Sequence, residues 1–330
     1  MEQDQSFLFA LLLAAHGERR ANADNAGVEG LAGNLAAAGV AAKVGFGLAR
    51  RRCATYGRLL HMFRIPRLAG MVAFAAAWLN PWRSLYRVHT TESKLSFVVH
   101  RRDGIGRHIA KYGAHEPGVT AWIARHLKDS PPGIFVDVGA NIGWHAAHAA
   151  RHPAVETVVA FEPDPFNAWL LDQNRSINNI GNIVVCACAL GASSGLARLH
   201  RYKDSNRGRH SLTCDYGLGA KLVPLRELDR ELDSLGLGDS PILVLKIDVE
   251  GYEPAVIEGA SQALTRTRAV VLEYSPSLSR DGGLSTDAMI DRLQRSGFRA
   301  FSLASNGSLE PLEREWLAAF DGQMDIIWTR

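Results

Sequence analysis

The 330-residue chain is poor in cysteine, with only Cys53, Cys186, Cys188 and Cys214. None has the C-x-x-C spacing of a zinc site, and Cys186 and Cys188 alternate within an apolar run, where they read as strand filling. A reducing compartment fits that usage. No apolar run is long enough to cross a bilayer: the longest candidate, Leu68–Leu79, has twelve residues, against about 20 for a spanning helix. The start Met-Glu-Gln-Asp-Gln-Ser is acidic where a signal peptide is basic, so Phe7–Ala15 is not expected to serve as an export signal. The expectation is a cytoplasmic protein. There is no internal repeat, and the one biased tract is the Ala-rich N-terminal portion.

A net charge of +3 conceals a segregation. Residues 43–107 carry thirteen Lys/Arg against Glu92 and Asp103, whereas residues 1–42 sum to −3 and residues 108–330 to −5. A basic segment therefore precedes a mildly acidic body, which suits an anionic partner or, equally, a solvated helical face. Within it, Arg58, Arg64, Arg67, Arg83 and Arg87 surround Leu68–Leu79, with Trp78, Trp82 and Tyr86 interleaved. That pattern fits a helix lying on the inner face of a membrane, and it also fits a helix packed on the rest of the chain. Residues 1–90 are expected to form a basic, mainly helical extension.

Farther on, Leu95–His100 reads as a strand, Asp103-Gly104 as its turn, and Ile105 onward as a return strand or extended segment. Val119–Leu127 has helical periodicity and ends at Pro131-Pro132-Gly133. Then strands and helices alternate. Strands are expected at Ile134–Val138, Thr157–Phe161, Ile183–Ala189, Leu196–Tyr202, Ile242–Ile247, Ala269–Glu273, Arg299–Leu303 and Asp325–Thr329. Helices are expected over Ile142–Arg151, Trp169–Ile177, Pro254–Leu264 and Asp287–Ser296. Such alternation predicts an α/β fold with a mostly parallel central sheet covered on both faces.

The stretch Phe135-Val-Asp-Val-Gly-Ala-Asn-Ile-Gly143 sits at a strand-to-helix junction, where ligands bind in open α/β sheets. Gly139 and Gly143 allow tight turning and close approach of a ligand. Asn141 tolerates unusual backbone angles and offers an amide. The spacing is G-x-x-x-G, and the G-x-G-x-x-G of dinucleotide binders is absent. Asp137 places a carboxylate just before the loop, where it suits an amino group and would repel a phosphate. Glu162, some 20 residues beyond the loop at the end of the next strand, can accept hydrogen bonds from two ribose hydroxyls. The bland alternative is an ordinary α/β turn with an acidic helix cap.

Four blocks occur in order: Val136-Asp-Val-Gly-Ala-Asn-Ile-Gly143, Ala160-Phe-Glu-Pro163, Leu245-Lys-Ile-Asp-Val-Glu-Gly-Tyr-Glu253 and Val271-Leu-Glu273. Together they resemble the FkbM family of methyltransferases, named for a macrolide O-methyltransferase. The similarity runs from about Gly104 through Glu116-Pro117 to the terminal Asp325-Ile-Ile-Trp strand. The resemblance implies a Rossmann-like class I methyltransferase domain over residues 91–330. It also implies S-adenosylmethionine as cofactor and transfer to a hydroxyl of a saccharide, glycolipid, lipid-linked glycan or related natural product. Asp137, Gly139, Ala140, Asn141, Gly143 and Glu162 would then bind the cofactor, with Glu116 facing it. Trp144-His145 departs from the family pattern, in which an aromatic pair is frequent.

Lys246–Glu250 falls at the carboxyl end of the Ile242–Ile247 strand, the substrate-facing end in this fold. Methyl transfer to an alcohol needs an aligned nucleophile and an acceptor for its proton. Asp248 and Glu250, two apart, would share a face of an extended backbone. One would orient and the other accept the proton, or both would hold a divalent metal, for which two carboxylates alone are thin support. Asp248 as a helix cap is the alternative. His210, in the Arg- and Gly-rich stretch 204–211, is a further candidate base, and a solvated loop histidine otherwise. Arg207 and Arg209 beside it suit an anionic acceptor. The absence of Asn-Pro-Pro-Tyr or Asp-Pro-Pro-Tyr speaks against nucleic acid as partner. Two rivals remain: a catalytically silent cofactor-binding partner in a glycan-assembly complex, and an NAD-type oxidoreductase, which the missing G-x-G-x-x-G disfavours.

Overall fold

A computed structural model describes residues 84–203 and 205–330. The basic extension expected over residues 1–90 lies outside the described residues up to position 83, and with it Leu68–Leu79, Trp78, Trp82 and Cys53. Among the described residues no helix is long and apolar enough to cross a membrane.

The described chain opens as a hairpin of β1 (Leu85–His89) and β2 (Ser96–His100), paired from Leu85 opposite His100 to His89 opposite Ser96. The return strand expected from Ile105 is instead helix α1 (Gly104–Tyr112). Asp103 decides this. Its carboxylate accepts from the N–H groups of Ile105 and Gly106 at 3.1 and 3.3 Å, so Asp103-Gly104 caps a helix and does not turn a hairpin. Helix α2 (Pro117–Lys128) begins on proline, whose missing N–H costs nothing in a first turn.

The alternating region follows as β3 (Gly133–Val138), α3 (Trp144–Ala149), β4 (Val155–Phe161), α4 (Pro165–Ile177) and β5 (Ile183–Cys186). A small excursion holds β6 (Ala189–Leu190), β7 (Gly195–His200), a 3-10 turn at Arg207–Arg209, β8 (Ala220–Arg226) and α5 (Leu228–Ser234). The remainder is β9 (Ile242–Ile247), α6 (Glu253–Glu258), α7 (Ser261–Thr265), β10 (Thr267–Tyr274), α8 (Pro276–Asp281), α9 (Thr286–Arg295), β11 (Arg299–Leu303), β12 (Leu309–Pro311), α10 (Arg314–Ala319) and β13 (Met324–Thr329). The single helix expected near Pro254–Leu264 is thus two. They break at Gly259, where an added Cβ would lie 2.0 Å from the carbonyl oxygen of Gly191.

The main sheet has the order β12-β11-β13-β10-β9-β3-β4-β5. Strands β10, β9, β3, β4 and β5 are parallel, and β13 runs antiparallel between β10 and β11. With helices on both faces, this is the Rossmann-like class I arrangement expected from the resemblance. The strand expected at Leu196–Tyr202 does not extend this sheet. As β7 it pairs with β8 in a separate three-stranded sheet.

Every residue of β3 and β9 is buried, as a central parallel strand requires. Their side chains alternate between two cores. Phe135 and Val244 pack with α2, α3 and α4, while Ile134, Val136, Leu245 and Ile247 pack with α5, α6, α7 and α9. Burying one such side chain contributes about 1.5–3 kcal/mol. Helix α4 also holds the hairpin. Asn174 and Asn178, one turn apart, accept from Val98 N–H at 2.6 Å and Ser96 N–H at 2.8 Å, and their amides donate back to the same residues' carbonyls. The edge of β2 is thereby satisfied by side chains. Strand order reverses between β9 and β3, so the loops leaving their carboxyl ends diverge and open a crevice there.

Candidate active site

That crevice is a cavity of about 490 Å³ whose lining includes Glu116, Asp137, Gly139, Glu162, Asp248 and Glu250. Ala140, Asn141 and His210 also line it. Gly143 does not, and instead sits at φ 83° as the residue before α3, where a Cβ would meet Leu171 at 2.8 Å.

The loop after β3 is shaped by three left-handed residues, Gly139, Asn141 and Gly143. The N–H groups of Gly139 and Ala140 both donate to the carbonyl of Phe161 at 2.9 Å, which ties the loop to the end of β4. Glycine is obligatory at 139, because a Cβ would stand 1.8 Å from the carbonyl oxygen of Asp248. Glu162 is buried at the end of β4, and its two oxygens accept from Asn141 N–H and Asp164 N–H, each at 2.8 Å. Burial pushes its carboxyl up to about 8. Hydrogen bonds from ribose hydroxyls would supply what water no longer does. Asp137 is buried at the end of β3, where neither carboxylate oxygen meets a donor at full hydrogen-bond geometry and the Ala146 N–H lies near enough only to favour its charge weakly. Burial pushes it up to about 6, against the pull of Lys246. An orphaned buried carboxylate facing a cavity fits a cationic amino group, so the residues present fit S-adenosylmethionine.

Glu116 adopts φ 44° just before α2. Its carboxylate accepts from His145 Nε2 at 2.8 Å and stands 3.3 Å from His115 Nε2. Burial opposes its charge, but Lys246, His145 and His115 hold it well below the usual carboxylate range. His145 is pushed down to about 4 by burial, so near neutrality it is neutral and gives its Nε2–H to Glu116. The departure at Trp144-His145 thus places a donor against Glu116.

Lys246 had no assigned role in the sequence, although it is the one charge in an otherwise apolar strand. It is 2% exposed, with Nζ 3.1 Å from Asp248 Oδ2. Burial works against its charge, yet Asp248, Glu116, Asp137 and Asp325 together raise it well above its ordinary value. It balances the acids at the carboxyl ends of β3 and β9, at the amino end of the antiparallel β13 and just before α2.

Asp248 and Glu250 both reach the cavity, but not along one extended face. Glu250 has φ 51°, and its Oε2 lies 3.1 Å from Gln323 Nε2 and 3.4 Å from Arg209 Nε. Burial and then Asp248 push its carboxyl up to about 7, against Arg209. Asp248 does not cap α6, which starts after Tyr252 without a side-chain cap. Glu273 approaches the pair, with one oxygen from each of Asp248, Glu250 and Glu273 within 4.8 Å of the others. Three carboxylates are enough to hold a divalent cation, but Lys246 and Arg209 already meet two of their charges.

His210 lies elsewhere in the cavity wall. Its Nδ1 accepts from Tyr202 N–H at 2.9 Å, and its Nε2 is 3.9 Å from Asp164, the residue that caps α4. Burial lowers its affinity for a proton, and Asp164 opposes that. Arg209 stacks over Tyr202 at 5.4 Å and Arg207 over Phe166 at 4.8 Å.

The profile of the Methyltransferase FkbM domain matches residues 137–300. Among characterised proteins, hexuronic acid methyltransferase AglP of Haloferax volcanii is 30% identical over 141 residues, 42% of this chain and 55% of AglP. The 31-O-demethyl-FK506 methyltransferase FkbM of Streptomyces tacrolimicus is 31% identical over 179 residues, 45% of this chain and 68% of that protein. The 2-O-methyltransferase NoeI of Sinorhizobium fredii is 26% identical over 182 residues, 51% of this chain and 73% of NoeI. The match to AglP thus spans little more than half of that relative.

Proposed function

Because this chain belongs to the FkbM family of methyltransferases, we propose that it moves a methyl group from S-adenosylmethionine to a hydroxyl of a saccharide, glycolipid or related natural product. The observation that carries this reading is one cavity lined by the orphaned Asp137, the glycine loop and Glu162 and also by Asp248 and Glu250. Relatives named for a hexuronic acid, a 2-O-methyl group and a 31-O-methyl group support oxygen as the acceptor atom.

When bound, the cofactor supplies a methyl group on a sulfonium, ready for in-line displacement. Asp137 receives the cofactor's ammonium and Glu162 its ribose hydroxyls, and Glu116 closes the amino-acid end. Gly139 lets the backbone approach without a side chain between. Glu250, pushed up to about 7, is suited to take the acceptor hydroxyl's proton as its oxygen bonds to the methyl carbon. Asp248, paired with Lys246, orients the hydroxyl. His210, engaged with Tyr202 and Asp164, positions the α4 end of the pocket.

The direct test is calorimetry with S-adenosylhomocysteine, S-adenosylmethionine and NADH. Binding of the first two and not the third is expected, and the reverse would overturn the reading. We also propose peripheral attachment to an anionic membrane face through the basic segment 43–107, from its charge and the apolar run Leu68–Leu79.

A further inference from the structure

Glu253 ends the Leu245–Glu253 block and has no part in the transfer just described, yet it is one of the most buried acids among the described residues, at 1% exposure. It opens α6, and its Oε1 turns back on the preceding loop, accepting from Val249 N–H at 3.2 Å and Gly251 N–H at 3.0 Å. These two N–H groups flank Glu250. The opposite side of the same residue is also held, because the Glu250 carbonyl accepts from Ser211 Oγ at 2.7 Å and Thr213 Oγ1 at 3.3 Å. Glu250 has φ 51° and Gly251 φ 99°, and a Cβ on Gly251 would meet Leu278 at 2.6 Å. A left-handed glutamate persists only where its surroundings over-determine it. The side chain that this backbone projects is the one set against Gln323 and Arg209 in the cavity.

We propose that Glu253 is a positioning residue, whose buried carboxylate grips the Val249 and Gly251 N–H groups and so holds Glu250 in the left-handed conformation that presents its side chain to the cavity. The proposal rests on the reading of Glu250 as the acceptor-side acid. The grip needs an acceptor atom at the Oε1 position, and it does not need a charge. Glutamine therefore replaces Glu253, whereas leucine of similar bulk does not.

The experiment uses the full chain with Glu253→Gln and Glu253→Leu. Amide hydrogen exchange is followed at Val249 and Gly251, and the Glu250 carboxyl is titrated by 13C NMR, assigned with Glu250→Gln. Around Glu250 stand Asp248, Glu273, Arg209, Tyr216 and Gln323. Release of the loop removes it from that set, so its titration falls from about 7 toward the ordinary carboxylate range. Glu253→Leu is expected to speed exchange at both amides by about tenfold or more, each having lost its acceptor, and to shift Glu250 downward. Glu253→Gln is expected to keep both amides and the titration at their wild-type values. Wild-type behaviour of Glu253→Leu overturns the proposal, as does a Glu253→Gln that fails in the same way. Should the leucine variant not fold, Glu253→Asp decides in its place, being one methylene short of both N–H groups. Binding of S-adenosylhomocysteine to the wild type is measured beside these. Its failure removes the methyltransferase reading and leaves the loop result standing.

Discussion

Several buried acids in and beside the cavity are held by the fold in their protonated form more readily than in water, and this has consequences for single residues. Glu162 and Glu253 are each pushed up to about 8 by burial. Between the ordinary carboxylate value and about 8, the folded chain binds protons that the unfolded chain has released, so stability is full at the acid side and falls as pH rises through that window. A scan of melting temperature from pH 7 to pH 9, above the range in which the buried histidines titrate, should decline, and Glu162→Gln should flatten the decline. Ribose hydroxyls donating to Glu162 favour its ionised form, so cofactor binding releases a proton. Affinity for S-adenosylhomocysteine should accordingly rise with pH up to about 8, and Glu162→Ala should weaken it by about 1–3 kcal/mol. A pH-independent affinity would remove Glu162 from the ribose. Lys246→Met leaves four acids without their buried counter-charge and should cost about 3–5 kcal/mol in denaturant unfolding. Part of that loss should be recovered at pH 5, where Asp137 and Asp325, pushed up to about 6 and about 7 by burial, protonate.

At the scale of elements, the decisive contact joins the loop after β3 to the loop after β9. Gly139 and the Asp248 carbonyl are so close that any side chain at 139 forces the two strand ends apart. Gly139→Ala also places alanine at φ 80°, at a cost of about 1–3 kcal/mol in backbone strain alone. Loss of S-adenosylhomocysteine binding together with a lowered melting temperature is expected. Gly181→Ala is the matched control, since an added Cβ there meets nothing within 4 Å. Equal behaviour of the two variants would show that the loop tolerates separation. The asparagine pair on α4 is a second such device, joining β2 to the core without a strand partner.

For the whole molecule, the residues assigned above to the cofactor, Glu116, Asp137, Gly139 and Glu162, all follow Ser84 in the chain. A chain beginning at Ser84 should therefore bind S-adenosylhomocysteine within about twofold of the full chain, because no cofactor contact derived above is lost. The same truncation should end co-sedimentation with anionic vesicles. Each Lys or Arg near such a surface adds about 1 kcal/mol, and screening shortens its reach to about 10 Å at 0.1 M salt. Binding should be strongest at low salt and only partly reversed at high salt. A full chain that ignores anionic vesicles at every salt concentration would withdraw the membrane proposal.

The local sequence by itself determined the strands and the cofactor loop. Ile242–Ile247 is apolar enough to be a central strand, and Asp137, Gly139 and Glu162 lie at or just beyond strand ends, where ligands sit in open α/β sheets. These follow from periodicity and from turn chemistry, which act over a few residues. Tertiary structure alone decided the rest. β7 left the main sheet because β8 was there to pair with it, whereas the Asp103 cap that makes Ile105 helical is a local signal like those above. Lys246 acquired its role only when β3, β13 and the start of α2 brought Asp137, Asp325 and Glu116 to it beside Asp248. Asp248 and Glu250 share a cavity through a left-handed turn and not through an extended strand, since Glu253, Ser211 and Thr213 hold that turn from outside it. Long-range charge balance and side chains that grip a distant backbone leave no periodic trace, because the partners are set by the packing of strands far apart in the chain.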